Sequence, residues 1–105
     1  LNDIGYYFPD TDAANKNLSS MVILDKTLSL LEEKKLQPRN VDLVIICEQP
    51  KINPHVMTMK TALSNLLKIG EGDISIKATT AEGMGVIGEG NGIAVYAIAS
   101  LMELR

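Results

Sequence analysis

Thr79, Thr80 and Glu82 place two hydroxyls and one carboxylate within four positions of the chain. Neutral hydroxyl donors beside a hard anionic oxygen suit an oxygen-binding cation together with a polar ligand. The group stands at the end of a short alternating segment, Ile74-Ser75-Ile76-Lys77-Ala78-Thr79. Behind it Gly83, Gly85, Gly88, Gly90 and Gly92 make five glycines in ten residues. Backbone of that kind bends tightly or comes close to something else. An ordinary turn between two strands uses the same residues, and that reading stands beside the site. Gly83-Met84-Gly85-Val86-Ile87-Gly88 is a formal G-x-G-x-x-G. A dinucleotide fingerprint needs a helix directly behind it and room for a βαβ sheet, whereas here more glycines and a short apolar run follow, so that reading is rejected.

The elements that must position this group can be read from periodicity. Residues 1–17 are polar and turn-rich, with Tyr6-Tyr7-Phe8 followed by the loop Phe8-Pro9-Asp10-Thr11-Asp12, where proline fixes φ and Asp and Thr bond to nearby amides. Leu18 to Leu36 reads as a helix capped by Ser19 or Asn17, with Met21, Leu24, Leu28 and Leu31 on one face. Its exit, Glu32-Glu33-Lys34-Lys35, is solvated surface, and Gln37-Pro38-Arg39-Asn40 ends it. Val41 to Cys47 is continuous enough in β-formers for a buried central strand. Asn53-Pro54 starts a second helix, as cap and first-turn proline, with Val56, Met59, Leu63, Leu66 and Leu67 inward and Gly70 as the stop. Asp73 to Thr80 is a strand. Ile93 to Met102 fits helix or strand by period, and its β-branched residues after glycine favour strand. Its alanines suggest close packing against another layer.

A chain of 105 residues is expected to be a single domain, 1–105, small enough to gain from association. A net charge of −3 without a basic cluster argues against nucleic-acid binding. No apolar run reaches the length of a membrane span. Leu1-Asn2-Asp3-Ile4-Gly5 reads like the middle of a longer sequence, so a fragment is expected. Cys47 is the sole cysteine; it excludes an internal disulfide and reads as a small apolar residue. Asp10 and Asp12 lack the rest of a calcium loop, and His55 has no second histidine or cysteine at ligand spacing.

Several separated motifs agree on one family. Asp3-Ile4-Gly5, Phe8-Pro9-Asp10-Thr11-Asp12, Asn40-Val41-Asp42, Gln49-Pro50-Lys51, Pro54-His55, Lys77-Ala78-Thr79-Thr80-x-Glu82 and Gly85-x-x-Gly88-x-Gly90-x-Gly92-Ile93-Ala94 occur in this order. The chain thereby resembles the 2-C-methyl-D-erythritol 2,4-cyclodiphosphate synthases of non-mevalonate isoprenoid biosynthesis, over roughly their C-terminal two-thirds. The resemblance implies an α+β fold, a mixed β-sheet with helices packed on one face, and a homotrimer with active sites between subunits. It implies a phosphorus–oxygen lyase that cyclises 4-diphosphocytidyl-2-C-methyl-D-erythritol 2-phosphate and releases CMP. A cytoplasmic location, or a plastid in a plastid-bearing organism, goes with it. Both reacting groups are anionic, so such catalysis is mainly positioning and charge neutralisation. An acidic chain without an arginine cluster must find that neutralisation in divalent cations and backbone N–H groups.

By resemblance, Asp3, Ile4 and Gly5 would hold the methylerythritol, and the loop of Phe8, Pro9, Asp10, Thr11 and Asp12 would close over it. Cys47, Glu48, Gln49, Pro50, Lys51, Ile52 and Asn53 would line a cytosine pocket, shaped by Pro50 and Ile52 with Lys51 near the nucleotide. Thr79 and Thr80 would contact the diphosphate, Thr80 also stabilising the transition state, with Ala81 and Val86 in the substrate-binding set. Glu82 would bind the Mg2+ or Mn2+ that bridges two phosphates. The family's Zn2+ ligands, an Asp-x-His pair and a further His, are absent from these 105 residues, so the chain alone is expected to be inactive. Glu89 stands where the family commonly has Arg, and Val86 where Phe is common. A non-catalytic oligomeric module of the same fold that binds nucleotide is the alternative.

Overall fold

A computed structural model describes residues 3–9, 11 and 19–104 of the chain. The chain divides into two compact bodies, Leu1–Gln37 with Glu103–Arg105, and Pro38–Met102.

In the first body one helical turn, α1 (Ile4–Tyr7), interrupts the segment read as turns. The second helix, α2 (Ser20–Glu33), is capped by Ser19, whose hydroxyl accepts the Met21 N–H at 3.2 Å. Of the apolar face, Leu31 is buried and Leu24 and Leu28 are half-buried, while Met21 is exposed. The helix stops three residues before the expected Leu36. Lys35 adopts the left-handed conformation, φ 57°, and its N–H bonds the Glu32 carbonyl at 2.9 Å. That geometry closes the last turn and redirects the chain, and Leu36 already belongs to the next strand.

The second body is built on a three-stranded sheet in the order β2-β1-β3, from β1 (Leu36–Cys47), β2 (Ile74–Thr79) and β3 (Ile93–Glu103). Gln37-Pro38-Arg39-Asn40, read as a loop, is therefore strand. Pro38 precedes Val41, the first residue in register with β2, so its missing N–H takes no bond from that ladder. β1 and β2 are parallel from Val41↔Ile74 to Ile46↔Thr79. The Ser100 hydroxyl donates to Asn40 Oδ1 at 2.6 Å, and the Leu104 N–H to the Lys35 carbonyl at 2.7 Å. Partner numbers thus rise on one strand as they fall on the other, so β3 runs antiparallel to β1 and the sheet is mixed.

Parallel neighbours need a crossover. A 3-10 turn, Asn53–His55, leads into α3 (Val56–Leu67), which packs on β2. Neither Ile52 nor His55, the residues at the caps, makes a side-chain cap bond, so the expected Asn53 cap gives way to Pro54 in the first turn. Val56, Met59, Leu63, Leu66 and Leu67 are half-buried as their spacing requires. The stop comes at Lys68, φ 58°, rather than at Gly70. Ile45, Cys47 and Ile74 form the buried centre of the sheet. A last helical turn, α4 (Gly85–Gly88), lies within the glycine run. β3 is exposed along nearly its whole length, with Tyr96 and Ile98 68% and 73% accessible. Among the described residues no helix is long and apolar enough to cross a membrane.

Candidate functional site

Because β1 and β2 are parallel and Ile46 faces Thr79 in register, both strands deliver their carboxyl ends to the same edge. Crevices at the carboxyl ends of parallel strands are where ligands bind in open α/β sheets. Here the loop leaving β1 and the corner leaving β2 enclose a cavity of about 480 Å3. Cys47, Glu48, Gln49, Lys51, Ile52 and Asn53 line it from one side, and Ala78, Thr79 and Thr80 from the other. Two sequence motifs 25 or more residues apart are brought together by the crossover. Pro50, Ala81, Glu82 and Val86 are not in the cavity wall.

Local bonds set the shape of both walls. The Cys47 thiol is buried and donates to the Gln49 carbonyl at 3.1 Å, with the Pro50 carbonyl at 3.6 Å, which fits its reading as a packed residue. The Gln49–Pro50 peptide is cis. The exposed Lys51 brings the one cationic side chain in the wall. On the other wall the Thr79 hydroxyl donates to the Thr80 carbonyl at 3.4 Å, and Thr80 Oγ1 accepts the Glu82 N–H at 3.2 Å. Glu82 is exposed with φ 55°, a left-handed conformation that L side chains disfavour.

The anion-binding chemistry expected of this corner is partly redirected. Successive N–H groups in such a turn form a concavity for an anion. One oxygen of Glu48 already occupies it, accepting the Ala81 N–H at 2.8 Å and the Gly83 N–H at 3.3 Å. These amides are committed to an internal carboxylate and are not free for another anion. Gly83 itself has φ 77°, and Gly88 packs on it so closely that a Cβ at Gly88 would lie 2.2 Å from the Gly83 carbonyl carbon. Sequence reasoning placed Glu48 in the pocket but missed this tie, as nothing in the order of residues signals a partner 33 positions away.

The remaining expected site residues distribute as follows. Asp3, Ile4 and Gly5 lie at and within α1, exposed. Phe8 and Pro9 are half-buried and Thr11 exposed, all in the first body; Asp10 and Asp12 lie outside the described residues. Among the described residues no group of three or more His, Cys, Asp or Glu side chains could hold a metal ion. Zinc, which takes three or four protein ligands, has no site among them. Magnesium is different, since it keeps waters and takes one or two carboxylates plus phosphate oxygens, and an exposed Glu82 beside two threonines fits that need. A second cavity, about 470 Å3, lies beside the middle of β1 and the amino end of β2 and carries the carboxylates of Asp42 and Asp73. It offers no cationic residue to a phosphate.

An α+β body with a mixed sheet and a pocket at its parallel ends defines the structural class. Comparison with known proteins gives the family: the YgbB family model matches residues 1–102, and the chain belongs to that family. It is 45% identical over 105 residues to the 2-C-methyl-D-erythritol 2,4-cyclodiphosphate synthase of Brachyspira hyodysenteriae, matching all of this chain and 66% of that one. The CDP complex of IspF from Plasmodium falciparum superimposes with a TM-score of 0.83 at 32% identity, over 99% of this chain and 62% of the other. The bifunctional IspDF of Campylobacter jejuni gives 0.90 at 33% identity, over 99% of this chain and 28% of that one. The chain thus spans just under two thirds of the length of the single-function relatives it matches.

Proposed function

We propose that this chain supplies the nucleotide pocket and the diphosphate corner of a 2-C-methyl-D-erythritol 2,4-cyclodiphosphate synthase. The reaction is cyclisation of 4-diphosphocytidyl-2-C-methyl-D-erythritol 2-phosphate. An oxygen of the 2-phosphate attacks the β-phosphorus, the bond from that phosphorus to the α-phosphate oxygen breaks, and CMP leaves. The observation that carries the reading is the cavity in which the Cys47–Asn53 loop faces Thr79 and Thr80. The CDP complex of a relative of known structure shares this fold over 99% of the chain.

In this reading the cytosine sits against the Cys47–Asn53 loop, where Ile52 supplies apolar contact and backbone groups supply pairing. Lys51 offsets phosphate charge. Thr79 and Thr80 orient the diphosphate, and Thr80 donates to the oxygen on which charge gathers in the transition state. Glu82 holds magnesium or manganese, which when bound withdraws charge from the phosphates. Asp3, Ile4 and Gly5 contact the methylerythritol part of the substrate. No step is assigned to zinc, for which the described residues offer no ligand set. The protein works as a homotrimer; the apolar residues exposed along β3, such as Tyr96 and Ile98, favour association with further copies.

The test is thermal unfolding of the full-length protein with CDP and magnesium, followed by assay of CMP release. A ligand at about 100 times its Kd adds about 2.7 kcal/mol of apparent stability. A rise in melting temperature that needs both CDP and magnesium supports the assignment. A melting curve indifferent to saturating CDP refutes the pocket.

A further inference from the structure

We propose that Glu48 is a positioning residue: it holds the Ala81–Gly83 turn so that the Glu82 carboxylate stands ready for the cation. The inference rests on the reading of Glu82 given above. Glu82 is flanked by Ala81 and Gly83, and the N–H groups of both neighbours end on one Glu48 oxygen, at 2.8 and 3.3 Å. The N–H of Glu82 itself ends on Thr80 Oγ1 at 3.2 Å. Three consecutive amides are thus satisfied by two side chains, and the peptide on each side of Glu82 is fixed. This matters because Glu82 is held at φ 55°, where a residue with a Cβ does not stay without surrounding support.

Bonds from amides to a carboxylate are among the stronger hydrogen bonds, and Glu48 is half-buried, which shields this one from water. Glu48 also stands in the wall of the cavity, directly after the buried Cys47 that anchors the end of β1. The carboxylate therefore couples the nucleotide loop to the metal-binding corner.

Glu48→Ala and Glu48→Gln in the full-length protein test this with two readouts. Hydrogen exchange at the Ala81 and Gly83 amides needs no ligand. Exchange about tenfold faster in Glu48→Ala is expected, with Glu48→Gln close to the parent, since a carboxamide oxygen still accepts both bonds. CDP affinity is then titrated with and without magnesium. Loss of one such ordering contact is expected to weaken magnesium-dependent binding about tenfold in Glu48→Ala and no more than about threefold in Glu48→Gln. Unchanged exchange in Glu48→Ala overturns the proposal. So does CDP binding that stays unchanged, or strengthens without magnesium, because Glu48 would then merely compete with phosphate for the amides. Should the parent show no magnesium-dependent binding of CDP, the reading of Glu82 fails, and amide exchange alone still decides whether Glu48 holds the turn.

Discussion

Replacing Gly88 by alanine tests whether the glycine run is built for close approach. The new Cβ would lie 2.2 Å from the Gly83 carbonyl carbon and 2.8 Å from both its Cα and its oxygen, where ordinary contact begins at 3.4 Å. The deficit, about 1.2 Å, is against backbone, so no side-chain rotation relieves it. The turn must open, and overpacking of this kind destabilises by about 1–3 kcal/mol. For a domain of this size that lowers Tm by roughly 5–15 °C. Gly72→Ala is the control, because a Cβ there meets nothing within 4 Å. The Gly83 N–H also donates one of the two bonds to Glu48, so displacing it should weaken magnesium-dependent CDP binding well below the melting temperature. The assays are thermal unfolding and CDP titration of both variants. A Gly88→Ala protein that melts with Gly72→Ala and binds CDP equally well would refute the reasoning.

Two further substitutions separate stability from function. Glu82→Gly removes a left-handed residue that has a Cβ, a relief of about 1–2 kcal/mol offset by about 0.5–1 kcal/mol of unfolded-chain entropy. The melting temperature without ligand should hold or rise while the stabilisation by CDP with magnesium disappears; a variant that keeps that stabilisation excludes Glu82 as a ligand. Ile98→Lys changes a side chain 73% exposed in the chain, so folding of the protomer should shift by no more than about 0.5 kcal/mol. Self-association measured by sedimentation should fall sharply, and a variant that sediments as the parent does removes β3 from any subunit contact.

Local order in the sequence carries far in this protein where one element decides its own form. The inward face of α3 follows from the spacing of Val56, Met59, Leu63, Leu66 and Leu67, and β2 follows from the alternation after Asp73. Ser19 announces the start of α2 because a cap is a contact between close neighbours. Errors fell where two readings share the same residues. Gln37-Pro38-Arg39-Asn40 looks like a loop in isolation, yet it extends β1 because it runs beside β3 before the register with β2 begins at Val41. The stops at Lys35 and Lys68 use left-handed lysines where glycine is the usual signal.

Composition, periodicity and the order of short motifs therefore determined the class of fold, the family and the residue types available to a polyanion. Which of those residues meet was decided by the tertiary structure. A parallel register brings the end of β1 beside Thr79, and Glu48 reaches 33 positions along the chain to the Ala81 amide. Periodicity reports the environment of a residue averaged over its own element, whereas a hydrogen bond between distant loops depends on the register of the strands beneath them. That register is fixed only when the sheet and its crossover helix pack together.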